Sequence, residues 1–308
     1  MNDDNSLLHR HLLILVGCFA LLIIPLPLRG QIQMESGFTM PPLGNDTLCF
    51  RYHFLPQDSL VYSVESADSI SFIGDPVLTK IRGEVLSIVC DSVTAEGHFL
   101  LKITLHQSVQ RQKMGSDSVT VTTSPWIGRS VFLLVDSLGQ RIDVRVDDAS
   151  LAAVAPGGPF QPIPLPTLGE SCGVQNQSWM VSDTTALVEN GVPPASFAYS
   201  SLWRVIDVAD TLDRRFHQIQ YTQTALGRMV VKSGRVDIDQ SVTIAAYGKL
   251  SMDSVLSIPF HLFATSDNRI EMVSGDGRTK KGRHRVATHY QLLEISSPHP
   301  ERRYRLMP

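Results

Sequence analysis

The pentapeptide Gly169-Glu170-Ser171-Cys172-Gly173 has the Gly-x-Ser-x-Gly spacing that places a nucleophilic serine on a strained turn between a strand and a helix in serine hydrolases. Here proline-rich sequence precedes it, and polar Val174-Gln175-Asn176-Gln177-Ser178 follows with no helical apolar period. The segment reads as a turn, and Ser171 is not assigned as a nucleophile. Of the histidines, His53, His98, His106, His217 and His261 fall in strand-like patterns, and His284 and His289 lie five apart, on opposite faces of a strand. None of the histidines after residue 30 forms His-x-His or His-Glu-x-x-His, so no metal ligand is assigned. The sequence supports no catalytic residue and no cofactor.

Cys49, Cys90 and Cys172 leave one disulfide and one extra thiol in an oxidising compartment; Cys49 with Cys90 is the candidate bridge, against unpaired buried thiols. Asn45 and Asn176 begin glycosylation sequons that matter only in a host using this motif. The densest basic run is Arg278, Lys280, Lys281, Arg283 and Arg285, broken by Gly277 and Gly282. It reads as a solvated hairpin loop, with contact to an anionic surface such as lipid headgroups as the functional alternative. Trp126, Trp179 and Trp203 are widely separated and read as core anchors near turns.

The elements that would position these residues begin after residue 30. The first thirty residues carry a polar start, Arg10 between His9 and His11, and the apolar run Leu12 to Leu28, and read as a signal peptide cleaved after Leu28-Arg29-Gly30. Leu15-Val16-Gly17-Cys18 matches a bacterial lipobox, which makes lipid anchoring at Cys18 the lesser alternative. The expected location is therefore outside the cytoplasm: periplasm, outer-membrane surface or extracellular space. At 308 residues, 43% hydrophobic and 19% charged, the chain can bury a large core. Its formal net charge of −3 argues against a nucleic-acid partner.

Period-two alternation dominates the rest. Phe99, Leu101, Ile103 and Leu105 alternate with Leu100, Lys102, Thr104 and His106, and Ile142, Val144 and Val146 with Arg141, Asp143, Arg145 and Asp147; Leu60, Tyr62 and Val64 follow a similar pattern. One hairpin is predicted at Val131 to Val146 through Asp136-Ser137-Leu138-Gly139. Another is predicted where Leu256-Ile258-Phe260-Leu262 turns at Thr265-Ser266-Asp267-Asn268 and returns along Arg269 to Val273. Asp-Ser recurs at Asp58, Asp68, Asp91, Asp117, Asp136 and Asp253 without fixed period, and reads as strand punctuation. One short helix is expected at Asp148 to Ala155. The predicted fold is all-β and mainly antiparallel: a curved sheet, half-barrel or sandwich, with a continuous sheet favoured because separate halves would expose edges. Its parts are a first strand-rich half (31–155), a Pro/Gly-rich connector (156–168), a second half (169–296) and a tail (297–308).

The order of leader, strand-rich half, Pro164-Leu165-Pro166-Thr167-Leu168-Gly169 with Trp179, and second strand-rich half resembles families of exported β-proteins of Gram-negative bacteria, whose known content is little more than their location. In architecture alone the chain resembles the lipoprotein-carrier half-barrels, whose concave apolar sheets hold acyl chains. That resemblance implies a groove and brings no catalytic residues. The expected function is a non-enzymatic envelope protein that binds a lipid-like ligand or an envelope protein through a curved sheet, with membrane contact only at the surface or through a lipid anchor. The alternatives are a structural or surface-interaction protein with a filled core, and a hydrolase with an unrecognised site.

Overall fold

The structure, a computed structural model, describes residues 47–115, 119–147, 164–168, 172–174, 178–187, 195–211, 214–233 and 236–305. The chain is all-β. In order, the strands are β1 (Thr47–Cys49), β2 (Ser59–Phe72), β3 (Leu78–Val93), β4 (Phe99–Met114), β5 (Thr120–Thr122), β6 (Ser130–Val135), β7 (Arg141–Val146), β8 (Cys172–Val174), β9 (Ser178–Leu187), β10 (Ala195–Thr211), β11 (Arg214–Ser233), β12 (Val236–Asp253), β13 (Pro259–Ser274), β14 (Thr279–Ser296) and β15 (Tyr304–Arg305). A 3-10 turn at Pro300–Arg302 precedes β15. The expected helix at 148–155 and most of the connector lie outside the described residues.

Thirteen strands form one curved, unclosed sheet in the order β7-β6-β4-β3-β2-β14-β13-β12-β11-β10-β9, with β5 on β4 and β15 on β14. Every ladder between these strands is antiparallel. The two sequence halves meet at β2 and β14, so they share one continuous sheet. Two long hydrogen-bonded edges are thereby removed from water. β1 and β8 form a separate short ladder.

Local pattern explains most strands. β2 alternates buried Leu60, Tyr62 and Val64 with less buried Val61, Ser63 and Glu65, and β4 does the same from Phe99 to Leu105 with Leu100, Lys102 and Thr104. The β6–β7 hairpin forms as predicted: Asp136 Oδ1 accepts from Leu138 N and Gln140 N, both at 2.8 Å. Two readings require correction. Residues 259–274 are a single strand with no turn at Thr265 to Asn268, each of which is paired on both sides. Where Leu134 and Val135 of β6 pair with Asp143 and Arg141 of β7, the register skips Ile142, which turns outward, 49% exposed, where the alternation had placed it in the core.

The main core fills one end of the curved sheet. Tyr52 and Phe54 pack there with Trp126, Trp179, Trp203 and Phe216. Two non-strand segments hold the sheet's edges together at that end. Tyr52 N donates to Ser137 O at 2.7 Å and Tyr52 Oη to Pro166 O at 2.7 Å; Leu168 N donates to Leu138 O at 2.8 Å, and Trp179 Nε1 to Leu168 O at 2.7 Å. Residues 164–168 therefore bridge the β6–β7 turn to edge strand β9. Stacks of Phe50 on Trp179, Trp179 on Trp203 and Trp203 on Tyr221, with ring centroids 5.8, 6.1 and 4.5 Å apart, carry the contact inward. Each such pair adds about 0.5–1.5 kcal/mol beyond its buried area. A smaller core of Ile70, Phe72, Leu78, Val242, Ile270 and Met272 lies towards the other end of the strands.

Candidate functional site

Between the two apolar cores, the inward face of the sheet is polar. Strand register defines the rungs. One runs Tyr221, Gly248, Ala264, Thr288, Ser66, Arg82, Gln110 across β11 to β4, and the next runs Gln223, Ala246, Ser266, Val286, Asp68, Lys80, Gln112. The side chains differ between the two walls. On β2 and β3, Asp68, Lys80, Arg82 and Glu84 are all under 10% exposed. On β11, β12 and β13, Ala225, Ala246, Ala264 and Ser266 face inward yet are only half-buried among the described residues.

The charged wall is only partly paired. Arg82 Nε lies 3.3 Å from Glu84 Oε2 but is not aligned for a hydrogen bond, and Glu84 Oε1 accepts from Ser108 Oγ at 3.1 Å. His284 Nε2 is 2.9 Å from Asp68 Oδ1, and the Ser66 and Thr288 hydroxyls are 2.9 Å apart. Arg82 Nε and Nη1, Asp68 Oδ2 and Asn268 Oδ1 are buried without a hydrogen-bond partner among the described residues. An unmet buried polar group costs about 1–3 kcal/mol, more when charged.

Burial sets the protonation tendencies. It pushes the Asp68 carboxyl well above the usual range, against the pull of Arg82 and Lys80, and raises Glu84 against Arg82 and the Ser108 hydroxyl. Burial and then Lys80 lower His284 to about 4. Tyr290 is raised, first by burial, and sits within electrostatic reach of Arg82, Glu84, Tyr221 and Arg141. Arg141, lowered by burial, reaches both Tyr290 and Tyr199. These residues come from β3, β7, β10, β11 and β14, so the curvature gathers opposite ends of the strand order around one interior.

The sequence-predicted residues fall elsewhere. The Cys49–Cys90 bridge does not form: Cys90 is a free thiol at 0% exposure inside the main core, whereas Cys49 is disulfide-bonded. The β1–β8 ladder sets Cys49 directly opposite Cys172. Burial on β3 keeps Cys90 away from the surface ladder that a bridge to Cys49 would need. Cys18, Asn45, Ser171 and Asn176 lie outside the described residues.

The basic run is strand where a loop was expected, since only Arg278 precedes β14. Lys280 points inward to Asp75, Nζ to Oδ2 2.5 Å, and lies over the Phe72 ring. Arg278 pairs with Asp276, Lys281 with Glu271 and Arg283 with Asp267, while Arg285 stands opposite Asp267 in the ladder. Four of the five cations thus pair with an acid each, and Arg285 shares Asp267 with Arg283; the exposed pairs are worth roughly 0–1 kcal/mol each. His284 and His289 do take opposite faces; His289 stacks with His261, centroids 5.9 Å apart. Trp126, Trp179 and Trp203 are buried. Among the described residues no three His, Cys, Asp or Glu side chains gather as a metal set.

The interior polar band escaped the sequence reading. Its signal was present as Asp68-Ser69 and Thr265 to Asn268, polar breaks inside otherwise regular strands, which read equally well as turns.

No family model and no curated protein matches the chain. Among solved structures it is similar to an outer membrane channel from Pseudomonas putida F1, at 13% identity over 79% of this chain and 97% of that one, with a TM-score of 0.21. Pseudomonas aeruginosa OpdQ is similar at 7% identity over 78% of this chain and 100% of that one, also with a TM-score of 0.21. Superpositions this weak carry no functional argument. Among the described residues, no helix is long and apolar enough to cross a membrane. The outward face of the sheet carries Ser63, Glu65, Ser69 and Ser71 on β2 and Asp267, Arg269, Glu271, Arg283 and Arg285 on β13 and β14. On β9, β10 and β11 it also carries Met180, Leu202 and Leu226, 71, 50 and 47% exposed.

Proposed function

We propose that the protein is a non-enzymatic cell-envelope protein that binds a lipid-like amphiphile on the inner face of its curved sheet. One observation carries this reading: between two apolar cores the inward side chains Ala225, Ala246, Ala264 and Ser266 are small and only half-buried among the described residues, which leaves room there for a ligand. A chain laid along the strands would meet apolar walls above and below and a polar band between them, which suits an amphiphile better than a pure hydrocarbon. The leader-like residues 1–30 support an exported protein, which we read as meeting membranes only at their surface or through a lipid anchor.

The experiment is native mass spectrometry and organic extraction of the protein purified from its own envelope, with displacement of a fluorescent fatty acid. Co-purified lipid and saturable displacement are the expected results. A lipid-free protein with no saturable binding would leave a structural β-protein with a filled core as the better account.

A further inference from the structure

We propose that the outward face of β13 and β14, centred on Arg269, Arg283 and Arg285, is a docking surface for a membrane leaflet that carries anionic phosphate headgroups. It names the face that makes the surface contact of the reading above, and it does not depend on whether the interior holds an amphiphile.

The turn between β13 and β14 sets the charge pattern. Ser274 N donates to Arg278 O at 2.9 Å and Gly277 N to Ser274 O at 2.8 Å, which fixes a register with Arg269 directly opposite Arg283 and Arg285 directly opposite Asp267. Like charges in opposed positions destabilise a sheet. One acid does not relieve three guanidiniums. Asp267 accepts from Arg283 through both oxygens, Nε to Oδ1 at 2.6 Å and Nη2 to Oδ2, and neither the Arg269 nor the Arg285 side chain has an ion pair or hydrogen bond among the described residues. Both are exposed and keep a planar donor fork that fits phosphate oxygens.

The excess of charge extends along the face. In the four outward rungs from Thr265 to Glu271, read from β4 across to β11, Lys281, Arg228, Arg111 and Lys113 join the three arginines, against the two carboxylates of Asp267 and Glu271. The whole chain, by contrast, has a formal net charge of −3, so this face is a local concentration of positive charge.

Apolar neighbours distinguish a lipid surface from a free anion. Leu226 lies in the rung of Arg269, two strands away or about 10 Å along the sheet, and Leu202 and Met180 continue on β10 and β9 in the rung of Thr265. All three are exposed. Basic groups with exposed apolar groups beside them seat at the boundary of headgroups and acyl chains, whereas a soluble anion makes no use of the apolar half.

The test is co-sedimentation of the processed protein with phosphatidylcholine vesicles and with vesicles of equimolar phosphatidylcholine and phosphatidylglycerol, over a range of salt. The anionic vesicles are expected to bind about tenfold or more tightly, with the advantage shrinking as salt rises. Arg269→Gln and Arg285→Gln should each weaken that binding about fivefold, and Leu226→Ser by a similar factor. Arg215→Gln, which removes an exposed cation paired with Asp210 at the far end of β11, should leave it unchanged. Equal binding to the two kinds of vesicle, or a loss from Arg215→Gln as large as that from Arg269→Gln, would overturn the docking surface. Soluble polyphosphate bound as tightly as the vesicles, with Leu226→Ser without effect, would assign a soluble polyanion in place of a leaflet. Should a variant fail to fold, the comparison of the two vesicles with wild-type protein still decides the matter.

Discussion

Arg302 donates to a single oxygen of Asp58, Oδ2, through both Nε at 3.0 Å and Nη2 at 2.6 Å, although 244 positions separate them in sequence. Asp58 Oδ2 also accepts from Leu55 N at 2.9 Å, its Oδ1 accepts from Ser297 Oγ at 2.6 Å, and Arg302 Nη2 reaches His53 O at 2.7 Å. The pair ties the tail after β14 to the chain just before β2, at the seam where the two sequence halves join. Both side chains are buried, at 8% and 0% exposure. Removing one partner leaves the other charge uncompensated, so Arg302→Ala should destabilise the fold by about 3–5 kcal/mol. Urea unfolding measures this. A loss under about 1 kcal/mol would mean that the pair behaves as an exposed one.

Two aromatic rings lie across glycines on neighbouring strands. A Cβ on Gly248 would stand 2.2 Å from Tyr221 Cε1, and one on Gly282 would stand 2.4 Å from Phe72 Cδ1; each glycine is paired directly with that aromatic residue. Gly248→Ala and Gly282→Ala should each cost about 1–3 kcal/mol, the usual penalty of overpacking. Gly83 on β3 has nothing within 4 Å of its added Cβ, so Gly83→Ala should be neutral or stabilising by up to about 1 kcal/mol. Thermal unfolding of the three variants checks the contrast; equal effects would show that the rings do not depend on the glycines.

Much of the fold was legible in the sequence because alternation reports burial on one face. Phe99 to Leu105 and the Asp136 turn are clear cases: the buried face is apolar and the turn aspartate satisfies nearby backbone N–H groups. Legibility failed where the inside is polar. Asp68 and the Thr265 to Asn268 stretch have the composition of turns, yet they sit within strands β2 and β13 because the sheet's interior is polar at that height. The same inversion hid the candidate site, since Arg82 and Lys80 alternate with apolar Ile81 in a pattern that gives no sign of which face is buried. Nor could spacing alone choose a partner for Cys49, because the β1–β8 ladder joins residues 123 apart in sequence.

Peptide mapping of the non-reduced protein should recover Cys49 linked to Cys172, the residue opposite it in the ladder, and an unmodified Cys90. Burial, then Asp58 and Asp91, push the Cys90 thiol up to about 11, so native protein should alkylate there far more slowly than unfolded protein at pH 8. A Cys90-containing disulfide peptide, or rapid native labelling of Cys90, would contradict this arrangement.

The Asp68–His284 contact makes a signed prediction about pH. Burial first, then Lys80, lowers the His284 imidazole from an ordinary 6.5 to about 4, so the unfolded chain takes up a proton there that the folded chain refuses. Stability from this group is therefore fully present above pH 6.5 and is lost as pH falls towards 4, by up to roughly 3 kcal/mol. Burial also lowers His217 and His261, and their contributions run in the same direction. Asp68 acts oppositely: its raised carboxyl keeps a proton that the unfolded chain releases above 3.8, so its contribution declines as pH rises from that point. Replacing His284 separates the two. His284→Gln should unfold with a shallower loss of stability between pH 6.5 and 4 than the wild type, measured by urea midpoints across that range. Nuclear magnetic resonance of the wild type should find the His284 ring still neutral at about pH 5.5. A ring that titrates at or above 6.5 would mean that Asp68 stays ionised and the contact is an ion pair, and the pH dependence assigned to His284 would then reverse.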